Sequence, residues 1–131
     1  MSEYLFAYGT LQPGHAPPDV AHIVSRFKLI GEGFVNGALY DLGDYPGAVL
    51  DASSQQNIAG TVFELPADPL LLSEIDAYEV YDPAAPDASL FLRVMHPVAL
   101  ATGGSLPCWV YVWNGNPATA PIIPGGRFHL R

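Results

Sequence analysis

Tyr4-Leu5-Phe6-Ala7-Tyr8-Gly9-Thr10-Leu11 is the stretch that decides the architecture. Its first five residues form an aromatic-rich apolar run that ends at Gly9-Thr10-Leu11-Gln12-Pro13-Gly14, which reads as a buried strand entering a glycine-bounded loop. Such a loop can present successive backbone N–H groups to an anion or a developing oxyanion, because glycine adopts unusual backbone angles without steric cost. An ordinary strand-to-turn transition explains the same four residues equally well, so the turn chemistry alone does not define a site.

Downstream, Val20, Ile23, Val24 and Phe27 recur at i, i+3, i+4 and i+7, and predict a short amphipathic helix over about 18–28 that starts at Pro18 and Asp19. Period-2 segments follow at about 29–41, 47–51 and 58–65, broken by the turn residues at 43–47 and the polar stretch 53–57. Asp68-Pro69 supplies a cap and a first residue for a second helix running to about Glu79. Proline keeps Tyr81 to Asp87 out of a helix. Phe91 to Leu100 and Cys108 to Trp113 read as the last strands, joined by a turn at Gly103-Gly104, and the Pro- and Gly-rich tail from Asn114 wraps the surface. Short strands, tight turns and two helices predict an α+β domain with a small mixed, strongly curved, barrel-like sheet flanked by two short helices.

The 131 residues, half of them hydrophobic, suffice for one core, and a single domain over 1–131 is expected. Five basic residues face thirteen acidic ones for a net charge of -8, and Arg26, Lys28, Arg93, Arg127 and Arg131 form no run. Nucleic acid and anionic membrane surfaces are therefore not expected partners. One cysteine, Cys108, allows no internal disulfide. The N-terminus has no basic region followed by an apolar run and a cleavage site, and the expected location is cytoplasmic.

Among the carboxylates, Glu79 stands out because Leu72, Ile75 and Glu79 are spaced i, i+3 and i+7 and share a helix face. Burial on an apolar stripe and a position at the negative helix C-terminus both raise a carboxyl pKa toward the range useful for proton transfer. From spacing alone, a Glu at a helix end more often turns to solvent. Glu74 falls on the opposite face, and Asp76 flanks the stripe, where it is expected to cap or pair locally. The four histidines lie far apart and none has a Cys, Asp or Glu at metal-ligand spacing, so no metal is expected. Cys108 lies in an apolar strand and reads as a small core residue. Trp109, Tyr111 and Trp113 place an aromatic face on that strand, better suited to a core wall than to a pocket, with Tyr111 keeping a hydroxyl available for chemistry.

Taken in order, Leu5-Phe6-Ala7-Tyr8-Gly9-Thr10-Leu11 with Gly14, Gly37 to Gly43, Tyr45 to Val49, Gly60-Thr61-Val62-Phe63, Ile75-Asp76-Ala77-Tyr78-Glu79, Arg93-Val94 and Trp109 to Val112 resemble the γ-glutamylcyclotransferase-like (AIG2-like) family over nearly the whole chain. The resemblance implies that Tyr8, Gly9, Thr10 and Leu11 hold the glutamyl part of a small-molecule γ-glutamyl substrate, that Glu79 is the catalytic acid/base, and that Tyr45 and Tyr111 lie on the substrate side. It also implies a small mixed barrel with flanking helices and a cofactor-free cyclisation to 5-oxoproline. The chain departs from the family pattern at Val80, where Gly is common, at Phe91, where Tyr is common, and at Gly125-Gly126-Arg127-Phe128, which replaces a G-D-W-like segment. A non-catalytic module binding a small amino-acid-like ligand or a partner protein on the same fold is the alternative.

Overall fold

The computed structural model describes residues 3–9, 11, 18–43 and 45–127. Six strands and two helices follow in the order β1 (Glu3–Ala7), α1 (Pro18–Val24), β2 (Lys28–Asp41), β3 (Pro46–Leu50), β4 (Asn57–Leu65), α2 (Leu71–Tyr78), β5 (Phe91–Leu100) and β6 (Ser105–Trp113). The strands align as β3-β2-β4-β1-β6-β5, and pairing of Gly33 with Leu100 and of Phe34 with Ala99 brings β5 back onto β2. Five strands therefore close into a mixed barrel and β3 is an additional strand on β2. The parallel step is β1 beside β6, with Leu5 opposite Trp109, and every other pair is antiparallel.

Strand alternation sorts the apolar side chains into two cores. Phe6, Tyr8, Val35, Leu39, Ile58, Val62, Val98, Cys108 and Val110 fill the barrel. Leu5, Ala7, Phe63, Leu65, Phe91 and Tyr111 point the other way and meet Val20, Ile23 and Val24 of α1 and Leu71 and Ile75 of α2. Cys108 is fully buried in the first core, where burial pushes its thiol up to about 11, so it packs as an inert small residue. The aromatic face of β6 lies in the second core, beneath the helices.

Two departures from the expected elements have local causes. The second helix starts at Leu71, not at Asp68, because the Asp68 carboxylate accepts the Leu70 N–H at 3.0 Å in a turn preceding the helix. Its N-cap is Leu70, which makes no side-chain cap bond. Asp76, expected to pair locally, is buried and makes long-range contacts to β5 and β6 instead. Among the described residues, no helix is long and apolar enough to cross a membrane.

Candidate active site

A cleft of about 290 Å³ opens where the end of β1, the end of α2 and the segment before β5 converge. Its floor is apolar and buried, formed by Leu5, Ala7, Leu11, Phe91 and Tyr111, and its rim carries Tyr45, Tyr78, Val80 and Leu90. Among the described residues of this lining, Glu79 is the one carboxylate.

The sequence places Glu79 here through α2. Leu71 and Ile75, fully buried against the barrel, fix the helix face. Glu79 follows as the C-cap one turn beyond Ile75, with its N–H donating to the Ile75 carbonyl at 2.9 Å. The chain then turns away through a Schellman motif, in which the Val80 N–H donates to the Ala77 carbonyl (3.3 Å) and the Tyr81 N–H to the Asp76 carbonyl (2.9 Å). Part of the Glu79 surface faces the cleft, yet its carboxyl is enclosed by apolar and aromatic groups. Burial pushes its pKa from the ordinary value near 4.5 up to about 8.

Tyr8, Gly9 and Leu11 all line the cleft, whereas Thr10 and Gly14 lie outside the described residues. The Tyr8 hydroxyl donates to the Tyr111 carbonyl and accepts the Ala48 N–H at 3.2 Å, tying β1 to β6 and β3. Burial, with the Glu79 charge as a second cause, raises the Tyr8 pKa far above its ordinary value and keeps the hydroxyl neutral. Gly9 does not take the unusual backbone angle expected of it. Its need is steric: an added Cβ would lie 3.0 Å from the ring carbons of Pro46. Tyr45, at the rim, packs its ring against Phe91 in a tilted arrangement, with centroids 6.0 Å apart and planes at 58°.

Tyr111 contributes its ring to the cleft while its hydroxyl donates to Asp76 Oδ1 at 2.5 Å. The same oxygen lies 3.0 Å from Arg93 Nε in an ion pair outside hydrogen-bond alignment, and the Arg93 guanidinium stands 4.4 Å over the Trp109 ring. Burial and the Asp76 bond together hold the Tyr111 hydroxyl protonated. The hydroxyl noted in the sequence thus anchors α2 to β6, and the cation of Arg93 is committed to the same anchor. Tyr78 and Leu90 were not singled out in the sequence, and Val80 and Phe91 stood out only as departures from the family pattern. Asp76 precedes Glu79 by three residues and shares its side of α2, a spacing that would have pointed inward.

The fold and cleft find counterparts in known proteins. The family model for gamma-glutamyl cyclotransferase, AIG2-like, matches residues 5–130, and the chain belongs to that family. Several solved structures share its fold, among them these three. An AIG2-like protein from Mus musculus is 22% identical, with a TM-score of 0.71 over 99% of this chain and 97% of its own. YkqA from Bacillus subtilis is 21% identical with a TM-score of 0.72 over 98% of this chain, which spans only 40% of YkqA. A structure named gamma-glutamyl cyclotransferase is 15% identical with a TM-score of 0.64, over 95% of this chain and 73% of its own. No curated protein sequence matches.

Proposed function

We propose that this protein cyclises a γ-glutamyl group to 5-oxoproline and releases an amine, with Glu79 as general acid and base. The observation that carries the proposal is a carboxyl whose pKa burial raises to about 8, the one such group among the described residues lining an apolar cleft, beside Tyr8, Gly9 and Leu11 of a chain belonging to this family. The substrate's glutamyl part lies against Tyr8, Gly9 and Leu11. Ionised Glu79 takes a proton from the α-ammonium, and the freed nitrogen attacks the γ-carbonyl carbon. A carbon–nitrogen bond forms to close the five-membered ring. The bond to the departing amine then breaks as Glu79 returns that proton to its nitrogen, and the second proton shed by the ring nitrogen is taken up by the freed amine, which leaves as an ammonium ion; no water is consumed and no net proton is lost.

A carboxyl with a pKa near 8 suits both halves, because near neutrality it is mostly a ready acid while about a tenth is ionised as the base. Nucleophile and electrophile belong to one molecule, so holding a bent conformer supplies much of the rate; effective molarities for such reactions reach roughly 10⁵–10⁸ M. The test is 5-oxoproline release from γ-glutamyl-alanine, glutathione, γ-glutamyl-ε-lysine and a simple γ-glutamylamine. Glu79→Gln, folded by circular dichroism, should lose about a hundredfold or more in kcat. Unchanged turnover in that variant sinks the assignment, and binding without release in the wild type points to a ligand-binding module.

A further inference from the structure

Resting on that function, we propose that Asp76 is a positioning residue for the reaction: paired with Arg93, it keeps a buried cation from drawing Glu79 into its ionised form, and it fixes the turn that presents Glu79 to the cleft. Asp76 is buried and is not among the described residues lining the cleft. It precedes Glu79 by three residues, so the two lie on one side of α2 a turn apart. Its carbonyl accepts the Tyr81 N–H at 2.9 Å, closing the turn that Glu79 caps. Its carboxylate accepts the Tyr111 hydroxyl, while the Tyr111 ring lines the cleft and the Tyr111 carbonyl accepts the Tyr8 hydroxyl. One side chain thus ties the end of α2 to the cleft floor and, through Tyr111, to Tyr8.

Charge balance is the second half of the role. Arg93 Nε lies 3.0 Å from Asp76 Oδ1, with the two side chains 18% and 8% exposed, so water screens the pair little. Opposite charges that close largely cancel beyond themselves, and burial is then what raises Glu79. The Tyr111 hydroxyl feels all three charges: Asp76 and Glu79 raise its pKa and Arg93 lowers it. The other titratable side chains in the cleft lining are phenols: Tyr8 from β1, Tyr45 from the turn before β3, Tyr78 from α2 and Tyr111 from β6; α1 brings none among the described residues. Removing the Asp76 charge therefore acts on Glu79 with one sign. An anion that disfavours the ionised carboxyl is lost, and a cation that favours it is left unpaired.

Asp76→Asn keeps an oxygen that can accept the Tyr111 hydroxyl and removes only the charge. A carbon-13 titration should place its Glu79 midpoint about one unit or more below that of the wild type, with the rise of kcat/KM moving down in step. The double variant Asp76→Asn/Arg93→Met removes both charges and should return the midpoint toward the wild-type value. A residue that only supports the fold would lower the melting temperature and leave the midpoint in place; that result, or a double variant as low as Asp76→Asn, overturns the inference. Should Asp76→Asn not fold, Arg93→Gln tests the pair from the other side: the unpaired anion should raise the Glu79 midpoint above the wild type, and an unchanged value overturns the inference. The titration needs no turnover, so its failure leaves cyclisation standing. Silence of the wild type on the whole γ-glutamyl panel overturns cyclisation and, with it, a positioning role for Asp76.

Discussion

At the scale of single residues, the molecule concentrates cost around Glu79. A carboxyl is enclosed where its charge is poorly solvated, and the next residue is a valine in a conformation suited to glycine. The proton linkage of Glu79 has a definite sign. The unfolded chain releases this proton near 4.5, whereas the folded chain holds it up to about 8. Between those values the native state binds more protons, so stability is fully present below about 4.5, falls as pH rises, and levels off above about 8. Urea midpoints measured from pH 5 to 9 should decline less in Glu79→Gln than in the wild type, and parallel curves would count against a buried carboxyl. Glu79 was marked in the sequence by its i, i+3, i+7 relation to Leu72 and Ile75, but spacing alone favoured a solvated helix end and only the family resemblance singled it out. The steric reason for Gly9 was not, because it depends on Pro46, which lies far along the chain.

At the scale of elements, α2 leads into the proposed catalyst and is held by one polar anchor as well as by apolar packing. Tyr111 donates to Asp76, and Arg93 pairs with the same carboxylate, so β5 and β6 both grip the helix one turn before Glu79. Tyr111→Phe should destabilise the protein by about 1–3 kcal/mol, the cost of depriving a buried acceptor of its donor. Chemical denaturation measures this, and an unchanged midpoint would remove Tyr111 from the anchor. Helix period and strand alternation made the elements readable from 18 onward, to within a few residues at their ends. The start of α2 was not, because Asp68 is used in a turn before the helix, a choice that local sequence does not distinguish from capping. The partners of Asp76 escaped for a related reason: 17 and 35 residues separate it from Arg93 and Tyr111.

At the scale of the whole molecule, barrel closure brings Tyr8, Gly9 and Leu11 next to a helix end some seventy residues away, since β1 lies between β4 and β6. Closure demands close backbone approach at Gly60, where an added Cβ would lie 2.5 Å from the Ala7 carbonyl oxygen and 2.9 Å from the Phe6 ring. Gly60→Ala should cost about 1–3 kcal/mol by overpacking β4 against β1, read from the urea midpoint, and a neutral effect would mean that the strands separate more easily than this geometry allows. The curved mixed sheet was expected from short strands and tight turns. Strand order was not, because alternation tells which side chains face a core and leaves open which strands are neighbours.

The most direct measurement of the central claim is a carbon-13 titration of the Glu79 side-chain carboxyl, assigned by its disappearance in Glu79→Gln. The account predicts a midpoint near 8, matched by a rise of kcat/KM with pH through the same value as the base form appears. A midpoint at or below the ordinary value of about 4.3 would contradict it, leaving Glu79 a solvated helix end and the cleft without its acid and base.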